Sequence, residues 1–556
     1  MDPPPMTDPR ALVAEATQAL SAGPNPALLA RLESACRAHP NHPGLALRLA
    51  DALQLARRHN EAALAYAASL TLNAMSFDAW YGMAGAQLAL GAYATARDAA
   101  IQALGLAPNA EGARSLLAEA LFALGEVDAA AAAYRRVIAR ADPAVRDAAL
   151  ASLAVLIPGS TAATHEAVRA TREAWITRAG GAIRPLPQRA PPTNRKIRLA
   201  YMSAFFGARN WMKPVFGVIN RHNRARFEIH LISDGADPTA ATGYTEHPDD
   251  RLWQVKGMPN AALARALAAA EIDVLVDLNG YSLAGRLGLF PYRPARFQLG
   301  WFNMFATTAI PGIDALVGDA AAILPEEEPH YSERILRVPG TYLAFQVPYP
   351  TPEIAPQPWL TNNAPTIGCL GSAYKLTRET LDAWTAILRA VPTARLHIAN
   401  PTLDDASNRA DILARLAARA IPPDRITLSG RAEHFDFLRG YDRIDIALDT
   451  FPYNGGTTTT EALWQGVPVL TTPGDRWAGR TSQSLLRAAG LEDWVTPTFV
   501  ATAIALLTNP ATPARLATLR STLRARLLAS PACDSAGLCA ALEAIYAAGP
   551  GDGIRR

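Results

Sequence analysis

Lys375 and the stretch "FPYNGGTTTTE" (residues 451–461) carry the residue types best suited to hold an anion. A strand-like run ending at Leu448 leads into the stretch, and a helix-like run from Glu461 to Trp464 follows. Exposed amides at a helix N-terminus, reinforced by the helix dipole, make a ready anion site. Asn454, Gly455 and Gly456 form the turn, and the glycines permit close backbone approach. Thr457 and Thr458 add hydroxyl donors and cap the helix. Glu461 suits a ribose diol, as the acidic residue does in dinucleotide folds. The bland reading is an over-built helix cap, with Lys375 a solvated lysine at a helix start. No G-x-x-x-x-G-K-[ST] motif occurs, so ATPase chemistry is not indicated.

Such a turn has to be positioned by alternating strands and helices. The runs "IRLAYMSAF" (197–205), "FEIHLIS" (227–233) and "IDVLVDLNG" (272–280) are β-branched and aromatic, with helical stretches between them. After a Pro-rich segment the alternation resumes with "TIGCLGS" (366–372), "ARLHIAN" (394–400), "RITLSG" (425–430), "IDIALDT" (444–450) and "VPVLTT" (467–472). This pattern predicts two parallel-sheet, Rossmann-like halves, with ligands at the carboxyl ends of the strands where their order reverses.

The first part of the chain is all helical. Registers starting at Pro43, Phe77 and Glu111 are each 34 residues apart, with Ala50, Ala84 and Ala118 at one shared position and Ala62, Ala96 and Ala130 at another. The period resembles the tetratricopeptide repeat, a pair of helices needing small residues where they touch. The expected layout is a repeat array over 1–160, with clear units at 43–76, 77–110 and 111–144, and a connector over 161–195. It continues with a first Rossmann-like domain over 196–345, a linker over 346–365, a second such domain over 366–530, and a helix and tail over 531–556.

Composition narrows the function classes. Of the 556 residues 50% are apolar, which is ample for packed cores, and a net charge of +3 leaves no footprint for nucleic acid. Four scattered cysteines lack disulfide or paired zinc spacing and read as reduced thiols. His222, His230 and His247 also lack metal-ligand spacing and are expected on surfaces or strand edges. Neither a signal peptide nor a membrane-spanning run is evident, so the expectation is a cytoplasmic protein.

"LDTFPYNGGTTTTEALWQGVPVLTTPGDRWAGRTSQSLLRAAGL" (448–491) resembles the donor-binding segment of the O-GlcNAc transferase and SPINDLY family, in a bacterial-type form. "GSAYKLTRETLDAWTAILRAVPTARLHI" (371–398) and "DVLVDLNGYSLAGRLGLFPYRPARFQLGW" (273–301) resemble other blocks of that family. The resemblance covers nearly the whole chain and implies tetratricopeptide repeats followed by a glycosyltransferase-B fold. It implies that Lys375 contacts a nucleotide diphosphate, that Thr457 and Thr458 bind its phosphates, and that Glu461 lies at the ribose. With a one-residue gap, Phe437 would stack on the base and Arg439 would contact it.

The departures fall in the first Rossmann-like half. Arg209 and Asn210 stand where the family has an active-site histidine pair, and "FNMFATTAI" (302–310) keeps Thr307 and Thr308 but loses proline and glycines. Asp273 stands where some members have histidine; it or Asp277 is the candidate general base, and Arg209 a candidate catalytic substitute. The implied activity is inverting, metal-independent transfer of a sugar, by default GlcNAc from UDP-GlcNAc, to Ser or Thr of a protein recruited by the repeats. No cofactor is called for, since a lysine and helix amides can stabilise the departing diphosphate where no D-x-D metal motif is seen. The alternatives are a different nucleotide sugar acting on flagellin or another surface protein, and a degenerate repeat scaffold.

Overall fold

The computed structural model describes residues 8–180 and 183–550, without the side chains of Arg209 and Asn210. By internal contacts the chain divides into two units, residues up to 149 with 401–418, and residues 150–400 with 419 onward.

In the first unit, helices begin at the three register positions: Pro43–Leu55, Phe77–Leu90 and Glu111–Ala123. Each is followed by an antiparallel partner, His59–Leu72, Tyr93–Leu106 and Val127–Arg140. The six register alanines are fully buried, because only a methyl fits where the paired helices cross. Tyr66 fills the gap beside them, and a Cβ at Gly82 would sit 2.2 Å from its ring. The turns within the pairs need a left-handed residue, supplied by Gly91 at φ +77° and Gly125 at φ +84°, but by Arg57 at φ +60° in the first repeat. Two earlier helices, Pro9–Ala19 and Pro26–Ala38, pack Leu12, Leu28 and Leu32 against Leu45. The helix Ala406–Ala417 belongs to this unit, and its Asn408 donates to the Gly91 carbonyl at 2.8 Å and accepts from the Ala94 amide at 3.1 Å.

The second unit holds two parallel sheets. The first contains β1 (Ile197–Ser203), β2 (Phe227–Ser233), β3 (Arg251–Gln254), β4 (Val274–Asp277), β5 (Phe297–Gly300), β6 (Ala315–Gly318) and β7 (Arg334–Arg337). Their order is β3-β2-β1-β4-β5-β6-β7. The second contains β8 (Thr366–Cys369), β9 (Arg395–Ala399), β10 (Ile426–Ser429), β11 (Ile446–Leu448) and β12 (Val469–Leu470), in the order β10-β9-β8-β11-β12. Burial on both faces explains why strands such as β4 read as continuous apolar runs. Strand order reverses between β1 and β4 and between β8 and β11, so the loops after those strands open side by side.

Candidate active site

β8 and β11 pair through Ile367 with Ile446 and Gly368 with Ala447, which brings the turns that follow them together. The Asp449 carboxylate organises the turn after β11, accepting from the amides of Thr450 at 2.9 Å and Gly455 at 2.8 Å and from the Thr471 hydroxyl at 2.7 Å. Thr377 and Thr380 donate to the Phe451 carbonyl, and Ser482 donates to that of Gly455. The turn is therefore held on three sides. A Cβ at Gly455 would lie 2.5 Å from the Thr459 hydroxyl, so glycine is required there.

Lys375 ends the short turn Ala373–Lys375 after β8, and its Nζ donates to the Asn454 carbonyl at 2.7 Å. The ammonium also lies 4.3 Å from the Tyr453 ring centroid. Burial pushes its pKa down to about 8, with the Asp449 carboxylate opposing the shift. Asn454 is buried, yet neither atom of its carboxamide has a hydrogen-bond partner. A buried amide left unpaired carries a desolvation cost of about 1–3 kcal/mol, which a ligand or an ordered water offsets.

Thr457 and Thr458 open the helix Thr457–Trp464 and are partly exposed. Its N-cap is Gly456, which brings no capping side chain to cover the first-turn amides. Thr459 and Thr460 are buried and act internally, Thr459 bonding Ser482 at 2.7 Å and Thr460 the Gly456 carbonyl at 3.0 Å. Of the four-threonine run, only Thr457 and Thr458 keep partial exposure.

Glu461 does not present an open carboxylate. It is 5% exposed and ion-paired with Lys213 of the helix Arg209–Ile219, with His434 Nε2 at 3.8 Å. Phe345, Val347, Leu438, Trp464 and Leu527 line the apolar cavity beside it. Burial raises the Glu461 pKa, and Lys213 opposes that shift. A diol contact would have to compete with this pair. Phe437, half-buried on the helix His434–Arg439, stacks on His434 at 6.0 Å and meets Tyr441 edge-on, and Tyr441 in turn donates to the Thr458 carbonyl at 3.0 Å. Arg439 is exposed, with Asp442 at 3.8 Å.

Across the first sheet the sequence candidates fare differently. Arg209 and Asn210 start the helix after β1, but their side chains lie outside the described residues. Asp273 precedes β4, at the amino end of the strand and away from the ligand edge. Its carboxylate is taken by Arg195 at 2.6 and 3.0 Å and by the Arg198 amide at 2.9 Å, so it serves as a structural anchor and not as a base. Asp277 stands at the carboxyl end of β4 but is fully buried. It accepts from the Asn279 and Gly280 amides at 3.0 Å, and burial pushes its pKa up to about 7. Thr307 and Thr308 are also buried and donate to Glu333, so their hydroxyls are not open to an acceptor. In the same loop Asn303, Phe305 and Ala309 hold φ of +65°, +59° and +55°, a conformation that glycine adopts without the strain it imposes on other residues. The Phe305 ring reaches Tyr453 at 4.9 Å.

Sequence reasoning missed Lys213, Asp449 and Tyr453. Asp449 was legible in principle as the acidic end of a strand, whereas Lys213 finds its partner 248 residues away and shows no local signal.

A family model described as glycosyl transferase family 41 matches residues 181–346 and 358–539. A probable UDP-N-acetylglucosamine–peptide N-acetylglucosaminyltransferase SPINDLY from Solanum lycopersicum is 33% identical over 303 residues, covering 53% of this chain and 32% of the relative. Its namesake from Petunia hybrida is 29% identical, covering 63% of this chain and 38% of the relative. The chain thus spans about a third of the length of these curated relatives. A solved Thermobaculum terrenum O-GlcNAc transferase mutant superposes with a TM-score of 0.75 at 28% identity, covering 91% of this chain and 96% of that one. It shares the arrangement of helical repeats followed by a glycosyltransferase-B fold. With the family match running through both sheets and the turn that holds Lys375, this chain belongs to glycosyl transferase family 41.

Proposed function

We propose that this protein transfers a sugar, by default GlcNAc from UDP-GlcNAc, to Ser or Thr hydroxyls of a protein recruited by the repeats, with inversion and without a metal. The observation that carries this reading is the Lys375 ammonium bonded to the Asn454 carbonyl, beside the N-terminus of the Thr457–Trp464 helix. In the reaction the acceptor oxygen attacks the anomeric carbon while the sugar–phosphate bond breaks, and the added charge falls on a nucleoside diphosphate. Lys375, the amides from Gly456 to Thr458 and the hydroxyls of the half-buried Thr457 and Thr458 are preorganised donors for that charge. The Asn454 carboxamide would gain the partner it lacks. Phe437 and Arg439 serve the base side, and the Lys213–Glu461 pair anchors the helix that carries Thr457 and Thr458.

The test is incubation with nucleotide sugars and cell extract, followed by a search for protein mass shifts. Lys375→Ala should lower the transfer rate about 10²–10³-fold while leaving the fold intact. Transfer at the wild-type rate in that variant would refute the assignment.

A further inference from the structure

His222, distant in sequence, meets Cys539 and Glu543 inside the second unit, and all three are buried. Cys539 and Glu543 lie one helical turn apart on the helix Ser535–Ala548, so both project from one face of it. His222 comes from the segment between the Arg209–Ile219 helix and β2. His222 was expected on a surface or strand edge; instead it is 4% exposed and packs against the carboxyl-terminal helix. Neither the cysteine count nor local spacing could reveal a cluster whose members stand 317 residues apart.

The ligand atoms of the cluster lie within hydrogen-bonding reach of one another. The Tyr201 hydroxyl donates to Tyr546 at 3.1 Å, so at its 2.8 Å contact with His222 it accepts from Nε2. His222 Nδ1 lies 3.0 Å from Glu543 Oε1 and 3.5 Å from Cys539 Sγ, and in the tautomer with its proton on Nε2 it offers a lone pair to the point they share. Sγ and Oε1 are 4.0 Å apart. The three side chains thus bring one ligand atom each to a common buried point. Glu543 Oε1 also accepts from the Asn223 amide at 2.8 Å, which leaves it a second lone pair, and the exposed Arg226 lies 3.6 Å from the other oxygen.

We propose that His222 Nδ1, Cys539 Sγ and Glu543 Oε1 bind one divalent cation of the zinc class, tying the carboxyl-terminal helix to the first sheet. Zinc takes nitrogen, sulfur and carboxylate ligands at about 2.0–2.3 Å, so tetrahedral ligand atoms stand roughly 3.3–3.7 Å apart. The separations found here bracket that range. A thiolate and a carboxylate also neutralise the two charges of the ion, which removes the cost of burying them singly. A cysteine binds such an ion as its thiolate, so uptake releases a proton and weakens as pH falls.

The test is metal content per chain by mass spectrometry for protein grown with zinc, followed by Co²⁺ titration of the metal-stripped full chain. About one zinc per chain is expected, with a thiolate-to-cobalt charge-transfer band in the near ultraviolet. Cys539→Ser should abolish the band and weaken zinc binding at least about tenfold. If that variant misfolds, Glu543→Gln is read instead, keeping the thiolate band while losing affinity. Folded wild-type protein that takes up no zinc, or binds cobalt without a thiolate band, would overturn the proposal.

Discussion

The Nζ of Lys375 and the backbone carbonyl of Asn454 are joined at 2.7 Å across two adjacent strand-to-helix turns. This contact sets the ammonium beside a helix N-terminus before any ligand arrives, so little reorganisation is needed when a diphosphate binds.

Lys375 should make ligand binding pH-dependent. Its folded pKa is about 8 against an ordinary 10.5, so between those values the unfolded chain holds a proton that the folded chain has released. Stability of the free protein therefore rises with pH through this window. Affinity for a nucleoside diphosphate falls there, by up to about tenfold per pH unit, because the neutral amine attracts no anion. Calorimetric titration from pH 7 to 10 checks this, and Lys375→Arg should flatten the profile because a guanidinium keeps its charge. A flat wild-type profile would refute the assignment.

Asn454→Ala should separate binding from stability. The carboxamide has no protein partner, so its removal should leave the unfolding free energy unchanged or raise it, as the desolvation cost of the unpaired amide is relieved. Loss of its bonds to a ligand should weaken diphosphate affinity about tenfold. Chemical denaturation and equilibrium binding read the two effects, and a large stability loss with unchanged affinity would contradict the prediction.

Lys213→Met leaves the Glu461 carboxylate buried and unpaired, which should cost about 3–5 kcal/mol. Adding Glu461→Gln should restore most of that loss, because no buried charge then remains. A double-mutant cycle on urea unfolding measures the coupling. Additive single-site effects would show that the pair contributes nothing.

Asp273→Asn should lower stability by about 1–3 kcal/mol through loss of its charged bonds to Arg195 and the Arg198 amide. Turnover at a temperature well below unfolding should stay within about twofold of wild type, since the residue lies at the amino end of β4. A large drop in kcat with intact stability would restore Asp273 as a base.

The repeat period, the two runs of alternating strands and the "NGGTTTT" turn were readable from the sequence, because each rests on local chemistry. Small residues recur where helices cross, β-branched runs mark buried strands, and glycines and hydroxyls mark a helix start. Pairing was not readable, because it follows from strand order and burial and not from any local period. Lys375 meets Asn454 only because β8 lies beside β11. Glu461 is claimed by Lys213 from the other half of its unit, and Thr307 and Thr308 are turned inward onto Glu333. Asp273 was misassigned because residue type does not say which cation the fold brings beside it, here Arg195 from the connector 78 residues away. In each case an ionisable group withdrawn from water must find a partner, and only the tertiary structure decides which one is within reach.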